Sequence, residues 1–168
     1  AGNVKVGNQR NMLTYWQAIE YTTSQNFDRM AYSNINAITV IPGAIGAFRK
    51  KVLEEVGGFT TDTLAEDCDL TMSINERGYI IENENYAIAM TEVPETLRQF
   101  VKQRIRWCFG VMQAFWKHRS SLFATSEKGF GMWAMPNMLV FQYIIPTFSP
   151  LADVLMLIGL FTGNAAQV

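Results

Sequence analysis

The sequence predicts an α/β layered fold that runs into an apolar helical tail. Three observations carry this. Short β-branched runs alternate with stretches of helical period, and glycine or proline marks many of the changes. From Met132 to Phe161 one charge, Asp153, stands among apolar residues. Lys and Arg gather just ahead of that run, at Arg98, Lys102, Arg104, Arg106, Lys117, Arg119 and Lys128.

The elements follow in order. Arg10 to about Ser33 has helical period, with Leu13, Trp16, Ala18 and Ile19 near one face and no Gly or Pro inside. Trp16 is expected to pack. Asn36–Ile41 is short, apolar and β-branched, and reads as a buried strand. Pro42-Gly43 breaks it, and Gly46 loosens the loop that follows. Arg49–Val56 is a short helix closed by Gly57-Gly58. Thr63 with Glu66 three residues on has the form of a capping box for a helix reaching about Arg77, which Gly78 ends. Tyr79–Glu82 and Tyr86–Met90 read as strands. Pro94 and Glu95 suit the first turn of a helix that continues to about His118.

The 168 residues suffice for one domain with a core. A formal charge of −1 gives no sign of a nucleic-acid binder. Two cysteines, Cys68 and Cys108, do not make a disulfide framework. They fit a reducing compartment as buried free thiols. His118 is the single histidine, so no histidine-based metal site or Ser-His triad can be built. It is expected on the surface near a helix end. Trp116 falls in a helical stripe and is expected to pack.

The tail has room for one bilayer span and part of another, since a span takes ~20 apolar residues. An interfacial helix leading into a span, or a buried helix pair, would give the same pattern. The basic cluster ahead of it fits the cytoplasmic side. The chain opens on Ala1-Gly2-Asn3 and closes inside the apolar run, and is expected to be a piece of a longer protein.

Two constellations can carry chemistry. Glu66 and Asp67 sit where a helix starts. Glu66 is accounted for by the cap; Asp67 points about 100° away, at ~3.6 residues per turn. A carboxylate so placed can take a proton from an attacking hydroxyl, although solvated acids at helix starts are common. Asp67-x-Asp69 has the spelling of a metal motif, but helical residues two apart face opposite ways. The second constellation is KQRIRW. On a helix Gln103, Arg106 and Trp107 share a face and Arg104 points elsewhere. An amide, a guanidinium and an indole suit a ligand with an anionic end and a stackable end. A basic helix snorkelling at a membrane surface would look the same.

Taken in order, PGAIGAFRK, VGGF, LAEDCDL, ERGY, PETL and KQRIRW resemble the processive family 2 glycosyltransferases. That family includes the cellulose, chitin, hyaluronan and poly-N-acetylglucosamine synthases. The resemblance implies a GT-A, Rossmann-like fold. Residues 1–128 would be the C-terminal, acceptor-side part of that domain. Residues 129–168 would be a truncated membrane segment.

The family's acidic motif falls on Ala65-Glu66-Asp67, which makes Asp67 the base. Its Q-x-x-R-W falls on Gln103, Arg106 and Trp107. Gln103 and Arg106, with Arg104 beside them, would meet the donor diphosphate, and Trp107 would stack on the acceptor. The loop Pro42–Gly46, with Gly43 and Ala44, would line the acceptor side together with Glu66. The implied reaction is inverting transfer from a UDP-sugar to a β-linked glycan, with Mg²⁺ or Mn²⁺ held by an upstream motif outside these residues. The chain alone is therefore expected to be inactive. The spellings PETL and QRIRW lie nearest the N-acetylglucosamine polymerases. The implied location is a bacterial-type inner membrane with the catalytic part cytoplasmic. A membrane-surface binding module, or transfer of a single sugar to a lipid, would account for part of the same pattern.

Overall fold

The computed structural model describes residues 1–125 and 128–162. Helices dominate it, and the strands form one parallel pair. The order is β1 (Gly2–Val6), α1 (Met12–Glu20), α2 (Asp28–Ser33), α3 (Lys50–Val56), α4 (Glu66–Glu76), β2 (Glu84–Thr91) and α5 (Leu97–Lys117). The apolar tail follows as α6 (Met135–Met138) and α7 (Ile145–Thr162), each preceded by a π-helical stretch.

The first helical run forms as expected. Asn11 caps α1 by a reciprocal pair of bonds with Thr14. A π-helical stretch, Tyr21–Phe27, joins α1 to α2. Its face is not the expected one. Thr14 and Gln17 are buried, while Met12, Trp16 and Ile19 are exposed. The polar face docks because it has partners: Gln17 Nε2 donates to Pro94 O at 2.8 Å and Asn11 Nδ2 to Glu95 O at 2.9 Å. Of the apolar stripe, Trp16 and Ile19 therefore turn outward, while Leu13 is half-buried and Ala18 stays against the Val4, Val6, Tyr21 and Val93 cluster. Trp116 is likewise exposed, with the Arg119 guanidinium 4.9 Å from its ring centre.

Asn36–Ile41 is buried at Ala37, Ile38 and Ile41 but joins no strand ladder. Helix α4 meets its backbone instead. Thr71 Oγ1 accepts from Ile41 N–H at 2.9 Å, and Asn75 Nδ2 donates to Ile38 O at 2.8 Å. Buried backbone groups need partners, and side chains can supply them as well as a strand can. Residues 79–82 depart from the expected strand for a related reason. The Asn36 side chain, on a residue at φ 50°, accepts from Ile81 N–H and donates to Tyr79 O. Tyr86–Met90 does form a strand, within β2, parallel to β1.

Helix α3 ends at Gly57 in the left-handed region (φ 87°), as its Gly pair requires. The capping box at Thr63 does not form. Helix α4 starts at Glu66, its cap residue Ala65 offers no side-chain bond, and Thr63 Oγ1 is buried without a partner. Asp67 Oδ1 instead accepts the Cys68 N–H at 2.8 Å. Pro94 and Glu95 precede α5, whose cap is Thr96.

Helices α4 and α5 touch where a side chain is missing. A Cβ on Gly110 would lie 2.7 Å from both the Ala65 Cβ and the Ala65 N. Real contacts of that kind are not tolerated, so glycine sets the distance between the two helices. The same helices are tied again beyond α5. His118 is 5% exposed, not a surface residue. Its Nε2 lies 2.9 Å from Asp69 Oδ1 and its Nδ1 2.8 Å from Glu76 Oε2. Lys117 Nζ reaches Asp69 Oδ2 at 2.9 Å, and Thr60 Oγ1 donates to the same oxygen at 2.6 Å. Ser121 Oγ donates to Glu76 Oε1 at 2.5 Å. With a carboxylate at each ring nitrogen, the imidazole is held as the cation.

Phe130, Ala134, Met135 and Met138 pack in the core with Cys68, Met72 and Phe115. Beyond them the tail stands clear, exposed at Phe148, Leu151, Val154 and Ile158. Phe130–Gly159 is one helix of 30 residues, long and apolar enough to cross a bilayer. Its apolar window has no buried share, which a buried helix pair would have had.

Two predictions follow from the α4–α5 contacts. Gly110→Val should force the helices apart and cost about 1–3 kcal/mol, the usual range for overpacking; chemical denaturation of the intact protein in detergent measures this. The second concerns pH. Burial works to lower the His118 pKa, but Glu76 and Asp69 outweigh it and raise it above 6.5. A raised folded pKa stabilises fully below about pH 6.5, and the gain is lost as pH rises through the folded value. The melting temperature should therefore fall on the alkaline side of neutrality. His118→Gln should remove that slope and lower stability by about 3 kcal/mol at pH 6, as for a broken buried pair. An unchanged slope would count against the cationic clamp.

Candidate active site

A cavity of about 1320 Å³ opens between α2, α4, α5 and the loop after Ile41. The start of α4 faces it. Asp67 is directed inward, while Asp69, two residues on, points to His118 and Lys117 on the other side. The helical period thus separates the two acids, and Asp69 is committed to protein partners. Asp67 Oδ2 accepts the Gly43 N–H at 3.3 Å. Burial lifts the Asp67 pKa above 3.8; the N–H groups of Cys68 and Gly43 hold it back, and Glu66 adds to the rise. A carboxyl shifted upward is a stronger base once ionised.

Gln103, Arg104, Arg106 and Trp107 all line this cavity, as do Gly43, Ala44 and Glu66. Asp67, Glu66, Gly43, Ala44, Gln103, Arg104, Arg106 and Trp107 therefore meet at one place. Gly46 does not. It is exposed outside the cavity, and a Cβ there would meet the Ile41 and Phe48 side chains at 2.9 Å.

Arg104 corrects the sequence reading of its direction. It lies over Trp107, with its guanidinium carbon 4.7 Å from the indole centre and 4.7 Å from that of Phe100. Glu20 receives it at both oxygens, at 2.5 Å each. A fork-to-fork pair of this kind is the strong form of ion pair. Glu20 takes the two Nη groups while Nε stays buried without a partner, and Arg104 so held is a wedge against Trp107. Arg106 is exposed, and Gln103 Oε1 is buried without a partner. An unpartnered amide oxygen in a cavity wall has capacity for a donor on a ligand.

Cys68 is buried, and burial pushes its thiol upward. Cys108, next to Trp107, is exposed in the cavity wall, where a buried thiol was expected. Among the described residues no three of His, Cys, Asp and Glu converge on a point where a metal could sit. With Asp67 bonded to two backbone N–H groups and Asp69 turned away, the residues here do not make a divalent-metal site. The sequence reading missed Glu20 and Arg29. Neither carries a motif signal; only the packing of the first helical run beside α4 and α5 brings them to the cavity.

The family model described as "Glycosyl transferase family group 2" matches residues 2–165. The chain belongs to that family, whose catalytic domains have the GT-A fold. It is 33% identical over 109 residues to the poly-beta-1,6-N-acetyl-D-glucosamine synthase of Staphylococcus aureus (strain COL), covering 65% of this chain and 26% of that protein. The synthase of the same name from Staphylococcus epidermidis RP62A is 32% identical over 119 residues, 68% of this chain and 29% of that protein. The chain thus spans a little over a quarter of the length of these relatives.

Removing the Glu20 carboxylate should free Arg104 and release the indole. Glu20→Gln is expected to cost about 1 kcal/mol of stability, since the pair is partly exposed. The Trp107 ring should also become more mobile. Tryptophan fluorescence anisotropy, read against a Trp107→Phe background, measures the change; a Trp107 signal insensitive to Glu20 would contradict the wedge.

Proposed function

We propose that this chain is the acceptor-side part of a membrane-bound, inverting glycosyltransferase. It moves a sugar from a UDP-sugar to the end of a growing β-linked glycan. One observation carries the reading: the Asp67 carboxylate and the Gln103–Arg106–Trp107 face open on a single cavity. A base, an anion-binding face and a stacking surface are the three things the transfer needs.

The steps follow from those groups. The acceptor sugar lies on the Trp107 indole, which offers a flat apolar face. Asp67 takes the proton of its hydroxyl as that oxygen attacks the anomeric carbon. The bond from that carbon to the diphosphate oxygen breaks, on the opposite side, so configuration inverts. The electron pair leaves on UDP, and Arg106 and the Gln103 amide meet the charge as it develops. Gly43 and Ala44 bring bare backbone close to the acceptor, where side chains would obstruct it.

The names of the relatives favour N-acetylglucosamine as the sugar and a β-1,6-linked polymer as the product. The exposed apolar helix Phe130–Gly159 supports a membrane location. On this reading residues 1–128 are the catalytic part and 129–168 the membrane segment, whose first turns, Phe130–Met138, still pack against the catalytic part; its last residues, 163–168, lie outside the described ones. The basic residues ahead of the helix favour the cytoplasmic side for the catalytic part.

The test is UDP release by the intact protein in membrane vesicles, with UDP-N-acetylglucosamine, UDP-glucose and UDP-glucuronate offered separately. Turnover is expected from UDP-N-acetylglucosamine, and Asp67→Asn should lower it by at least ~10³-fold, the upper part of the range for a general base. The acid limb of kcat/KM should report a pKa above the ordinary aspartate value of about 3.9. No release from any donor, with Asp67→Asn indistinguishable, would favour a lipid-binding module. Release with a product of one added sugar would favour single transfer.

A further inference from the structure

One buried cation in the cavity wall makes no ion pair among the described residues. Arg29, on α2, is 8% exposed. Its Nη1 donates to Gly2 O at 3.2 Å, and that is its one hydrogen bond; among the described residues it makes no ion pair. Asp67 shares the cavity but does not pair with it, since the Asp67 oxygens accept the Cys68 and Gly43 N–H groups. Burial pulls the Arg29 pKa down to about 10, and the charge of Asp67 works the other way.

A guanidinium carries five N–H donors, and one carbonyl satisfies one of them. A buried, unpaired cation is expensive to keep, and removing it from water is repaid only by an anion with good geometry. Arg104, on α5, has found such an anion in Glu20. Arg29 has not, and it lines the same space as Arg106 and Gln103. What is missing is an anion able to accept from a planar fork, and a phosphate group meets that description.

We propose that Arg29 is a second anion anchor of this cavity and takes phosphate oxygens of a nucleoside diphosphate. The inference rests on the reading of the cavity as a nucleotide site. It gives the two arginines different work. Arg106 is exposed and suits first capture; Arg29 is buried and adds its charge only to a ligand that has entered. A ligand without phosphate gains nothing from it. Arg29 therefore discriminates by charge and leaves recognition of the base to other residues.

The test compares UDP, UMP and uridine binding to the intact protein by calorimetry, for the natural sequence, Arg29→Lys and Arg29→Gln. Arg29→Gln should weaken UDP about tenfold or more, the scale of one charge-assisted bond, and leave uridine unchanged. Arg29→Lys keeps the charge without the fork and should fall between; it also serves if the glutamine variant does not fold. Two results would overturn the proposal: UDP bound equally by all three proteins, or UDP and uridine weakened in parallel. If the natural sequence binds no UDP, the nucleotide reading of the cavity fails, and the assignment of Arg29 fails with it. That outcome is distinct from equal binding by all three.

Discussion

The contact between Ala65 and Gly110 sets the site. It lets the start of α4 approach the middle of α5 to a distance no side chain at residue 110 would permit. Asp67 is two residues past Ala65, and Trp107 is three residues before Gly110. Asp67 and Trp107 are therefore positioned by a close approach of the two helices. A close helix crossing has no soft side chains to absorb small shifts. That stiffness is useful where a proton and a ring must be placed to a fraction of an ångström.

The same two helices are fastened a second time. Asp69 and Glu76 of α4 hold Lys117 and His118 at the end of α5. His118 lies 11 residues past Trp107, about 16 Å along a helix at ~1.5 Å per residue. Cavity and clamp lie on opposite sides of α4. The acids Asp67 and Asp69 share a helical turn yet do unlike work, because a spacing of two puts them on different faces. One is lifted above its ordinary pKa by burial; the other is held below by Thr60, Lys117 and His118 against the effect of burial. The neighbourhood decides which acid is free for chemistry.

Much of this was legible in the sequence. Helix ends written in glycine were readable because the left-handed conformation demands that residue. Gly57 and Gly78 both adopt it. The Asp67 and Gln103–Arg106–Trp107 constellations were readable because helical spacing alone gives their faces. Strands at 36–41 and 79–82 were misread because β-branched, apolar composition reports burial, not who supplies the hydrogen bonds. Here Thr71, Asn75 and Asn36 supply them. The face of α1 was misread for a similar reason. Apolar period locates a stripe, and only the partners at Pro94 and Glu95 reveal that the polar side docks. His118 gave no local signal, since its two acids are 49 and 42 residues away in the chain.

The central claim is that this one cavity receives the nucleotide, and Cys108 offers a direct probe of it. Its thiol is exposed in the cavity wall beside Trp107, while Cys68 is buried. The measurement is the rate of maleimide labelling at Cys108 in vesicles of the intact protein, with and without saturating UDP. The account predicts that UDP slows labelling several-fold, that uridine at the same concentration does so far less, and that Arg106→Ala removes the protection. Equal labelling rates with and without UDP, in a protein that turns over a UDP-sugar, would place the nucleotide elsewhere and contradict the account.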